Sequence, residues 1–227
     1  MKTLFVIRAY NEEGSIARVV DGLRKDYPQY DYVVIDDGSS DSTADICRRN
    51  GYNFVSHPVN LGLAGAFYTG MVYAAEHDYD YVVQFDGDGQ HNAEYAADML
   101  RLAEDGNDIV IGSRYVTEKK PHTMRMLGSR LISLAIKLTT GKRITDPTSG
   151  LRVYNRKTVL RFIGSTTLGP EPDAVALMMR KGTKVVETQV KMNERFAGRS
   201  YFTLLSSIRY MTHMFVSILI LQWFRRG

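Results

Sequence analysis

The chain has 227 residues, 44% of them apolar, which is enough for one large α/β domain with a buried core. Its single cysteine, Cys47, excludes an intrachain disulfide and a cysteine-rich zinc site and favours a reducing, cytoplasmic compartment. Residues 1–113 hold 8 basic and 19 acidic side chains (net −11), whereas residues 114–227 hold 21 and 6 (net +15). Unless this is only an uneven solvated surface, an acidic half suits a cation site and a basic half suits phosphate groups or an anionic membrane.

The first half of the chain alternates between short apolar runs and longer amphipathic segments. Continuously apolar runs separated by helical segments predict an α/β fold, with a mostly parallel sheet covered by helices on both faces. The predicted strands are 3–7, 30–37, 51–57, 80–86 and 108–114, and the predicted helices are 12–26, a segment ending at Arg49, 62–77 and 93–105.

Pairs of aspartates stand at the ends of two predicted strands. Asp36 and Asp37 end one strand, and Asp86 and Asp88 follow another in the run VVQFDGDGQH. Ligands of parallel α/β sheets bind beyond the carboxyl ends of the strands. Such closely spaced like charges either need a compensating cation or donor network, or are solvated loop residues. Because Mg²⁺ and Mn²⁺ prefer oxygen ligands and also bind substrate phosphates, one of these ions is the expected cofactor.

Two common nucleotide-binding signatures are absent from the sequence. It has no GxGxxG after the first strand and no GxxxxGK[ST] anywhere. A nucleotide is therefore expected to be held through carboxylates and a metal ion. The helix that begins near Gly62 is rich in small residues, which serve either close approach to a nucleotide or tight packing on the sheet. No DNA or RNA motif accompanies the basic half, so nucleic acid is not an expected partner.

Six sequence elements, in order along residues 1–201, resemble those of family 2 glycosyltransferases with the GT-A fold. Their combination is most similar to the dolichyl- or polyprenyl-phosphate sugar transferases. The resemblance implies one domain over residues 1–201, in which 1–113 bind the nucleotide sugar and 114–201 bind the acceptor. The elements are RAYNEE (8–13), VVIDDGSSDST (33–43), NLGLAGAFYTG (60–70), FDGDGQH (85–91), DPTSGLRVY (146–154) and ERFAGRSY (194–201).

The resemblance also implies roles for individual residues in donor, metal and acceptor binding. Among them, Asp88 and Arg114 are expected to take part in catalysis itself. The implied nucleotide-sugar residues are Ala9, Tyr10, Glu12, Asp37, Asp86 and Asp88, the metal residues are Asp86, Asp88 and Gln90, and the acceptor-phosphate residues are Arg114, Arg130 and Ser133.

Two positions depart from the family pattern. Arg8 stands where the family has proline, so either the loop is less rigid or the arginine meets a phosphate. Tyr201 replaces the lysine of the element RxxGxSK, which removes one expected cation. Arg195 and Arg199 are the candidate substitutes at the acceptor phosphate.

The run GPEPDAVAL (169–177) lies where many relatives keep a catalytic acid. If the acceptor is a sugar hydroxyl, a base must remove its proton, and Asp173 or Glu171 is the candidate. If the acceptor is a lipid phosphate, the nucleophile is already anionic and needs only cations to position it. The alternative for both acids is a structural role in the first turn of a helix, where the helix dipole favours negative charge.

Two apolar segments raise the question of membrane contact. Residues 124–138 fit either a membrane-interface helix or a helix that covers the sheet. Residues 202–227 predict an apolar helix that contacts a membrane interface, a membrane protein partner or a second copy, unless it belongs to the core. Since the N-terminal sequence has no secretory-signal pattern, we expect a peripheral enzyme at the cytoplasmic face of the cell membrane.

Together, these patterns predict a metal-dependent glycosyltransferase that moves a sugar from a nucleoside diphosphate to a polyprenyl phosphate. One alternative is transfer to a growing cell-surface polysaccharide or glycolipid. The other is a non-catalytic nucleotide-binding scaffold, which the intact aspartate pair disfavours.

Overall fold

The computed structural model describes residues 1–165, 168–196, 204–220 and 223–224. The strands are β1 (Thr3–Ala9), β2 (Asp31–Asp36), β3 (Phe54–Ser56), β4 (Tyr81–Asp86), β5 (Ile109–Ser113), β6 (Arg152–Asn155) and β7 (Val185–Gln189). The helices are α1 (Ile16–Asp26), α2 (Thr43–Arg49), α3 (Gly62–Glu76), α4 (Ala96–Glu104, after a 3₁₀ turn at Ala93–Tyr95), α5 (Met124–Thr140), α6 (Arg156–Ile163), α7 (Pro172–Arg180) and α8 (Leu204–Leu219).

The seven strands form one sheet in the order β3-β2-β1-β4-β6-β5-β7. Only β6 runs antiparallel to its neighbours, so the predicted α/β fold with a mostly parallel sheet is confirmed. The sequence analysis did not predict β6 or β7. Strand β6 has four residues and begins with a buried arginine, Arg152, while β7 is half-buried throughout. Neither strand has the continuous apolar run that marks the others.

Two apolar cores lie on opposite faces of the sheet, and alternate residues of β1 belong to each. Leu4 and Val6 join the core formed with α3, α5, α6, α7 and α8. Phe5 and Ile7 join the core formed with α1, α2 and α4. This alternation follows from the period of two in a strand, and it accounts for the apolar run in β1.

Helix α5 has two apolar faces. Ile132, Ala135 and Ile136 are buried in the core that α5 shares with α7 and α8. The spaced methionine and leucine residues of the sequence pattern point outward, with exposures between 45% and 69%. The helix therefore packs against α7 and α8 with one face and presents an apolar stripe with the other. The stripe consists of Met124, Leu127, Leu131, Leu134 and Leu138.

Helix α8 packs one side on the protein and leaves the other side exposed. Met214 and Ile218 are buried in the core that α5 and α7 share. Val216 and Ile220 are exposed, as are Trp223 and Phe224 just beyond the helix. Within the described residues, no helix combines the length and apolar character that crossing a bilayer requires. The proposed boundary between a domain at 1–201 and an appendage at 202–227 stays a prediction.

Candidate active site

The carboxyl ends of β1, β2 and β4 meet at one edge of the sheet. Arg8 of β1 lies in register with Asp86 of β4. The pairing continues past the strand ends, because Asp37 N donates to Ala9 O (2.9 Å) and Gly87 N donates to Arg8 O (2.8 Å). These bonds bring three of the motif loops together, and we call this region the donor edge.

Asp37 is nearly buried at the donor edge, and a histidine orients it. Its Oδ1 accepts a hydrogen bond from Leu61 N (2.9 Å) and lies 2.8 Å from His57 Nδ1. The other ring nitrogen of His57 lies 2.9 Å from Thr69 Oγ1 on α3. No sequence pattern singles out His57, so only these contacts identify it as part of the site.

The loop that follows β1 is held by a side chain from the segment after β2 and by its own Ser15. Ala9 is buried and Tyr10 is half-buried. Glu12 N donates to Thr43 Oγ1 (2.8 Å), and Ser15 Oγ donates to Glu12 Oε2 (2.7 Å). Burial is the main reason that the pKa of Glu12 is raised. The loop thus carries a carboxyl group that is costly to ionise unless a cation is near.

Two glycines of the element NLGLAGAFYTG are explained by different structural requirements. Gly62 begins α3 with φ +78°, and no atom lies within 4 Å of where its Cβ would be, so it is required by the backbone conformation. Gly70 faces the sheet, where a Cβ would lie 2.2 Å from Val6 Cγ1. Tight packing therefore explains Gly70 but not Gly62, whose predicted contact with the nucleotide stays a prediction.

Asp86 has a basic side chain near each of its carboxylate oxygens and is itself 31% exposed. Arg8 Nη2 forms an ion pair with Oδ1, and His91 Nε2 lies 3.5 Å from Oδ2. Burial is the largest influence and raises the pKa of Asp86, but the positive charge and hydrogen bond of Arg8, together with the other nearby basic groups, outweigh it and the pKa is lowered. His91 Nδ1 accepts a hydrogen bond from Asp86 N (3.0 Å), and burial lowers the pKa of His91, so its ring is neutral with the proton on Nε2.

Asp88 is nearly buried and is contacted by a segment that comes from far along the chain. Its Oδ1 accepts from Gln90 N (2.9 Å), and its Oδ2 accepts from Arg195 Nη2 (2.8 Å). Arg195 also reaches Glu12 Oε1 at 3.4 Å. Arg195 was predicted to replace a cation at the acceptor phosphate, but it lies at the donor edge, so its acceptor role stays a prediction. The other predicted substitute, Arg199, lies outside the described residues.

The chemistry of the aspartate pair fits a divalent metal ion. Asp86 and Asp88 supply oxygen ligands of the type that Mg²⁺ and Mn²⁺ prefer, and the side chain of Gln90 is exposed beside them. In the described ranges, no three His, Cys, Asp or Glu side chains form a ready metal cage. A metal at this site would therefore complete its coordination with water or with the oxygens of a bound diphosphate.

Arg114, at the end of β5, is held by an aspartate that the sequence analysis assigned no role. Its Nε and Nη2 donate to the two oxygens of Asp146 at 2.7 and 2.9 Å. The Asp146 side chain is fully buried, and its backbone N donates to Glu187 Oε1 on β7 (2.7 Å). Since Asp146 opens the quoted element DPTSGLRVY, that motif was the available signal for this role.

A basic cavity of about 660 Å³ lies beside Arg114, between the loop after β5 and helix α5. Both Arg130 and Ser133 line it, and their predicted contact with the acceptor phosphate stays a prediction. Among the described residues, none of its five lysines and arginines forms an ion pair. The lining residues are Tyr115, Val116, Glu118, Lys119, Lys120, His122, Arg130, Ser133, Leu134, Lys137, Arg143 and Thr145.

Lys120 is the most constrained of these cations. Its Nζ donates to Ser129 Oγ (2.9 Å), and its backbone O accepts from Arg130 Nη2 (2.9 Å). Burial is the largest influence on its pKa, which is lowered despite the nearby carboxylates of Asp146 and Glu187. The adjacent pair Lys119–Lys120 was the sequence signal that could have drawn attention to this loop.

The two acids of GPEPDAVAL occupy different environments. Asp173 is buried, with Oδ2 accepting from Ser217 Oγ on α8 (2.6 Å) and Oδ1 accepting from Ala174 N (2.9 Å). Glu171 precedes α7 and is half-buried, and burial is the main reason that its pKa is raised. Arg152 donates to Pro170 O (2.7 Å) and so links this segment to β6. The predicted catalytic role of Asp173 stays a prediction, while its contacts join α7 to α8.

The sheet, with an aspartate pair at the end of β4, has the GT-A fold. Residues 4–161 match the family model described as glycosyl transferase family 2, and the chain belongs to this family. Glucosyl-3-phosphoglycerate synthase from Mycobacterium tuberculosis, in complex with phosphoglyceric acid, has the same fold, with a TM-score of 0.71, 18% identity and coverage of 96% of this chain and 80% of that one. The same enzyme with Mn²⁺, UDP and phosphoglyceric acid gives a TM-score of 0.69 at 17% identity, covering 96% and 78%.

Sequence relatives include several enzymes that are named for phosphorylated polyprenols. Undecaprenyl-phosphate mannosyltransferase of Micrococcus luteus is 32% identical over 212 residues, 88% of this chain and 87% of its own. Polyprenol monophosphomannose synthase of Mycolicibacterium smegmatis is 27% identical, with coverage of 88% and 80%. UDP-N-acetylglucosamine–dolichyl-phosphate N-acetylglucosaminyltransferase of Methanococcus voltae is 32% identical, with coverage of 66% and 68%.

Proposed function

We propose that this enzyme transfers a sugar from a nucleoside diphosphate to the phosphate group of a polyprenyl phosphate. The observation that carries the proposal is the basic cavity, whose cations lack ion-pair partners among the described residues, beside the outward apolar stripe of α5. A phosphate requires cations, whereas the isoprenoid chain attached to it requires an apolar surface. The names of the relatives from M. luteus and M. voltae indicate the same class of acceptor.

The donor base is placed against Asp37. One of its oxygens is used by Leu61 N and His57, and Oδ2 has no hydrogen-bond partner in the described part of the chain. A fixed carboxylate with one open oxygen can accept an imide-type N–H of a base. The ring of His57, held between Asp37 and Thr69, keeps this carboxylate in a single orientation.

The donor diphosphate is placed at the aspartate pair, together with Mg²⁺ or Mn²⁺. Asp88, with Asp86 and Gln90, would hold the ion, whose charge would stabilise the leaving diphosphate. Little solvent reaches this part of the donor edge, since Asp88 and Glu12 are both almost buried. Excluding water there strengthens each charge interaction with the donor.

The acceptor phosphate is placed in the basic cavity, where Arg130, Ser133 and Lys120 can orient it. One of its oxygens forms a bond to the anomeric carbon of the sugar, while the bond from that carbon to the diphosphate oxygen breaks. A phosphate oxygen is already anionic, so no side chain has to remove a proton. This chemistry is compatible with the engagement of Asp173 by Ser217 and Ala174.

We further propose that the enzyme binds peripherally to the cytoplasmic face of the membrane. The apolar stripe of α5, with Trp223 and Phe224 beyond α8, would contact the acyl chains. The cations of the cavity would then lie where lipid headgroups are found, which brings the acceptor phosphate to the site. A membrane protein partner or a second copy bound to α8 is the alternative occupant of that surface.

The test is a transfer assay with the full chain, Mn²⁺, undecaprenyl phosphate and a panel of UDP-, GDP- and dTDP-sugars. We expect labelled sugar to enter the lipid phase from one donor class. Arg130→Ala should raise the acceptor KM by about ten- to a hundredfold, since a charge-assisted bond contributes ~1.5–3 kcal/mol. Arg156→Ala is the control, because Arg156 pairs with Asp78 on the surface. Transfer to a sugar hydroxyl, with none to the lipid phosphate, would contradict the proposal.

A second candidate is transfer to a hydroxyl of a polysaccharide or glycolipid, and Glu171 is the observation that favours it. Burial raises the pKa of this carboxyl group, which suits a general base. If this candidate is correct, Glu171→Gln should lower kcat by about a hundredfold or more. Retention of activity on undecaprenyl phosphate by that variant supports the phosphate acceptor instead.

A further inference from the structure

Strand β7 lies at the edge of the sheet, and its polar side chains reach the walls of the basic cavity. It is the last strand in the sheet order and pairs with β5, so that Ile111 lies opposite Glu187 and Ser113 lies opposite Gln189. Because side chains alternate along a strand, Glu187 and Gln189 point to the same face of the sheet. The proposed reaction uses neither side chain.

Three hydrogen-bond donors converge on the carboxylate of Glu187. Its Oε2 accepts from Thr145 N (2.6 Å) and Thr145 Oγ1 (2.7 Å), and its Oε1 accepts from Asp146 N (2.7 Å). Thr145 lines the basic cavity, and Asp146 holds the guanidinium of Arg114 through two hydrogen bonds. Glu187 therefore fixes one wall of the cavity and, through Asp146, the orientation of Arg114.

Gln189 holds a second wall of the cavity, which is the loop after β5. Its Oε1 accepts from Thr117 N (2.9 Å) and Thr117 Oγ1 (3.1 Å), and its Nε2 donates to Arg114 O (3.0 Å). The residues between these two anchors, 115–116, line the cavity. This position requires an amide, because the loop presents both donors and an acceptor to it.

The acid and the amide cannot replace each other at these two positions. In Glu187→Gln, one oxygen and one NH₂ group would face two backbone N–H donors, so one donor always loses its acceptor. In Gln189→Glu, a carboxylate would face the carbonyl of Arg114, to which the amide now donates. Leaving a buried polar group without its partner is costly, so each change should displace the wall that the side chain holds.

We propose that Glu187 and Gln189 are positioning residues, which hold the two walls of the basic cavity in register and keep Arg114 beside it for the acceptor phosphate. The part that concerns the acceptor rests on the proposed function. The polar character of β7 follows from this role. A strand whose side chains anchor two loops has no continuous apolar run of the kind found in the inner strands.

The first test follows the Nε–H proton of Arg114 by nuclear magnetic resonance in the isotope-labelled full chain, with the signal assigned by its loss in Arg114→Lys. This proton should exchange slowly with solvent in the wild type, because it is donated to the buried carboxylate of Asp146. Glu187→Gln should accelerate the exchange by about fivefold or more, as expected when a hydrogen bond that anchors Asp146 is lost. Glu76→Gln, which changes an exposed acid of α3, is the charge-matched control and should leave the rate unchanged.

The second test measures the KM values of the donor and of undecaprenyl phosphate. Glu187→Gln and Gln189→Glu should each raise the acceptor KM by about fivefold or more and leave the donor KM within about twofold of wild type. A merely structural role would lower the melting temperature without separating the two constants. The double variant keeps the composition and net charge of the wild type and should be impaired at least as much as either single variant.

The proposal is overturned if the exchange rate of Arg114 in Glu187→Gln stays within about twofold of wild type, or if the donor and acceptor KM values rise together. Should Glu187→Gln fail to fold, the acceptor KM of Gln189→Glu decides, because that variant leaves Asp146 anchored. The exchange measurement uses neither a sugar donor nor an acceptor. A wild-type chain that transfers nothing to undecaprenyl phosphate would therefore count against the proposed function, while the exchange rates would still decide whether β7 positions Arg114.

Discussion

The charged side chains of the donor edge have partners within the protein, whereas those of the basic cavity form no ion pairs among the described residues. At the donor edge, Asp37, Asp86 and Asp88 all have partners within the protein. In the cavity, the lysines and arginines form no ion pair among the described residues. One region is thus compensated before any ligand arrives, whereas the other gathers positive charge that an external anion can neutralise.

This difference has a structural origin. The acids of the donor edge stand at the ends of buried strands, where an uncompensated charge is costly. The cations of the cavity stand on a loop and on the outer part of α5, where water can solvate them until an anion binds. We therefore expect donor-edge substitutions to affect metal and donor binding together, and cavity substitutions to affect the acceptor alone.

The largest effect is expected for Asp88→Asn. Loss of this carboxylate removes a predicted metal ligand from a water-poor site, so transfer should fall by about a hundred- to a thousandfold. Circular dichroism and the melting temperature should show an intact fold. Wild-type transfer rates in excess EDTA, or in this variant, would show that the donor edge does not depend on a metal.

Substitutions of Arg114 and Arg130 should affect different properties. The first should lower stability, and the second should weaken acceptor binding. Arg114→Ala leaves the buried Asp146 carboxylate without its ion pair, so we expect a loss of about 3–5 kcal/mol of unfolding free energy as an upper range. Arg130→Ala should leave stability nearly unchanged, because Arg130 forms no ion pair in the described chain. Equal melting temperatures for the two variants would show that Arg114 does not stabilise the fold.

The apolar stripe of α5 should control membrane binding and not donor binding. Leu131→Ser combined with Leu134→Ser should weaken binding to anionic liposomes by about thirtyfold, as expected if each leucine contributes ~1 kcal/mol through partial burial. Leu160→Ser on α6 is the matched control, since Leu160 is also exposed but lies outside the stripe. Equal losses for stripe and control would indicate nonspecific apolar contact.

A smaller effect is expected for His57→Ala. Without the ring, Asp37 loses one of its two hydrogen-bond partners, and a bond of ~1 kcal/mol corresponds to a rise in donor KM of roughly fivefold. The acceptor KM should not change. If kcat falls while the donor KM stays constant, His57 acts in the chemical step and not in orienting the base pocket.

The smallest expected effect is a pH dependence of the acceptor KM, caused by Lys120 in the basic cavity. Burial lowers the pKa of Lys120, so it loses its charge at a lower pH than an ordinary lysine, whose pKa is about 10.4. The acceptor KM should therefore rise by about threefold as the pH increases through this lowered pKa, while the donor KM stays constant. The rise should disappear in Lys120→Met and persist in Lys119→Met.

The sequence was sufficient to predict the strands of the donor edge and the acids at their ends. Strands β1, β2 and β4 are apolar because both faces of a parallel sheet are buried, and the acids follow them because ligands bind at that edge. Local patterns determine such features, since each strand and its terminal acids lie within about ten residues of one another. The resemblance to family 2 glycosyltransferases came from the same segments.

Only the tertiary structure decided the contacts between distant segments. Arg8 and Asp86 meet because β1 pairs with β4, and Arg114 meets Asp146 through a loop held by Glu187 of β7. No periodicity in the sequence encodes which strand lies beside which, so neither pairing could be predicted from it. Which face of α5 is buried could not be predicted for a related reason, because both faces carry apolar residues. Packing against α7 and α8 selects one face, and the other becomes the outward stripe.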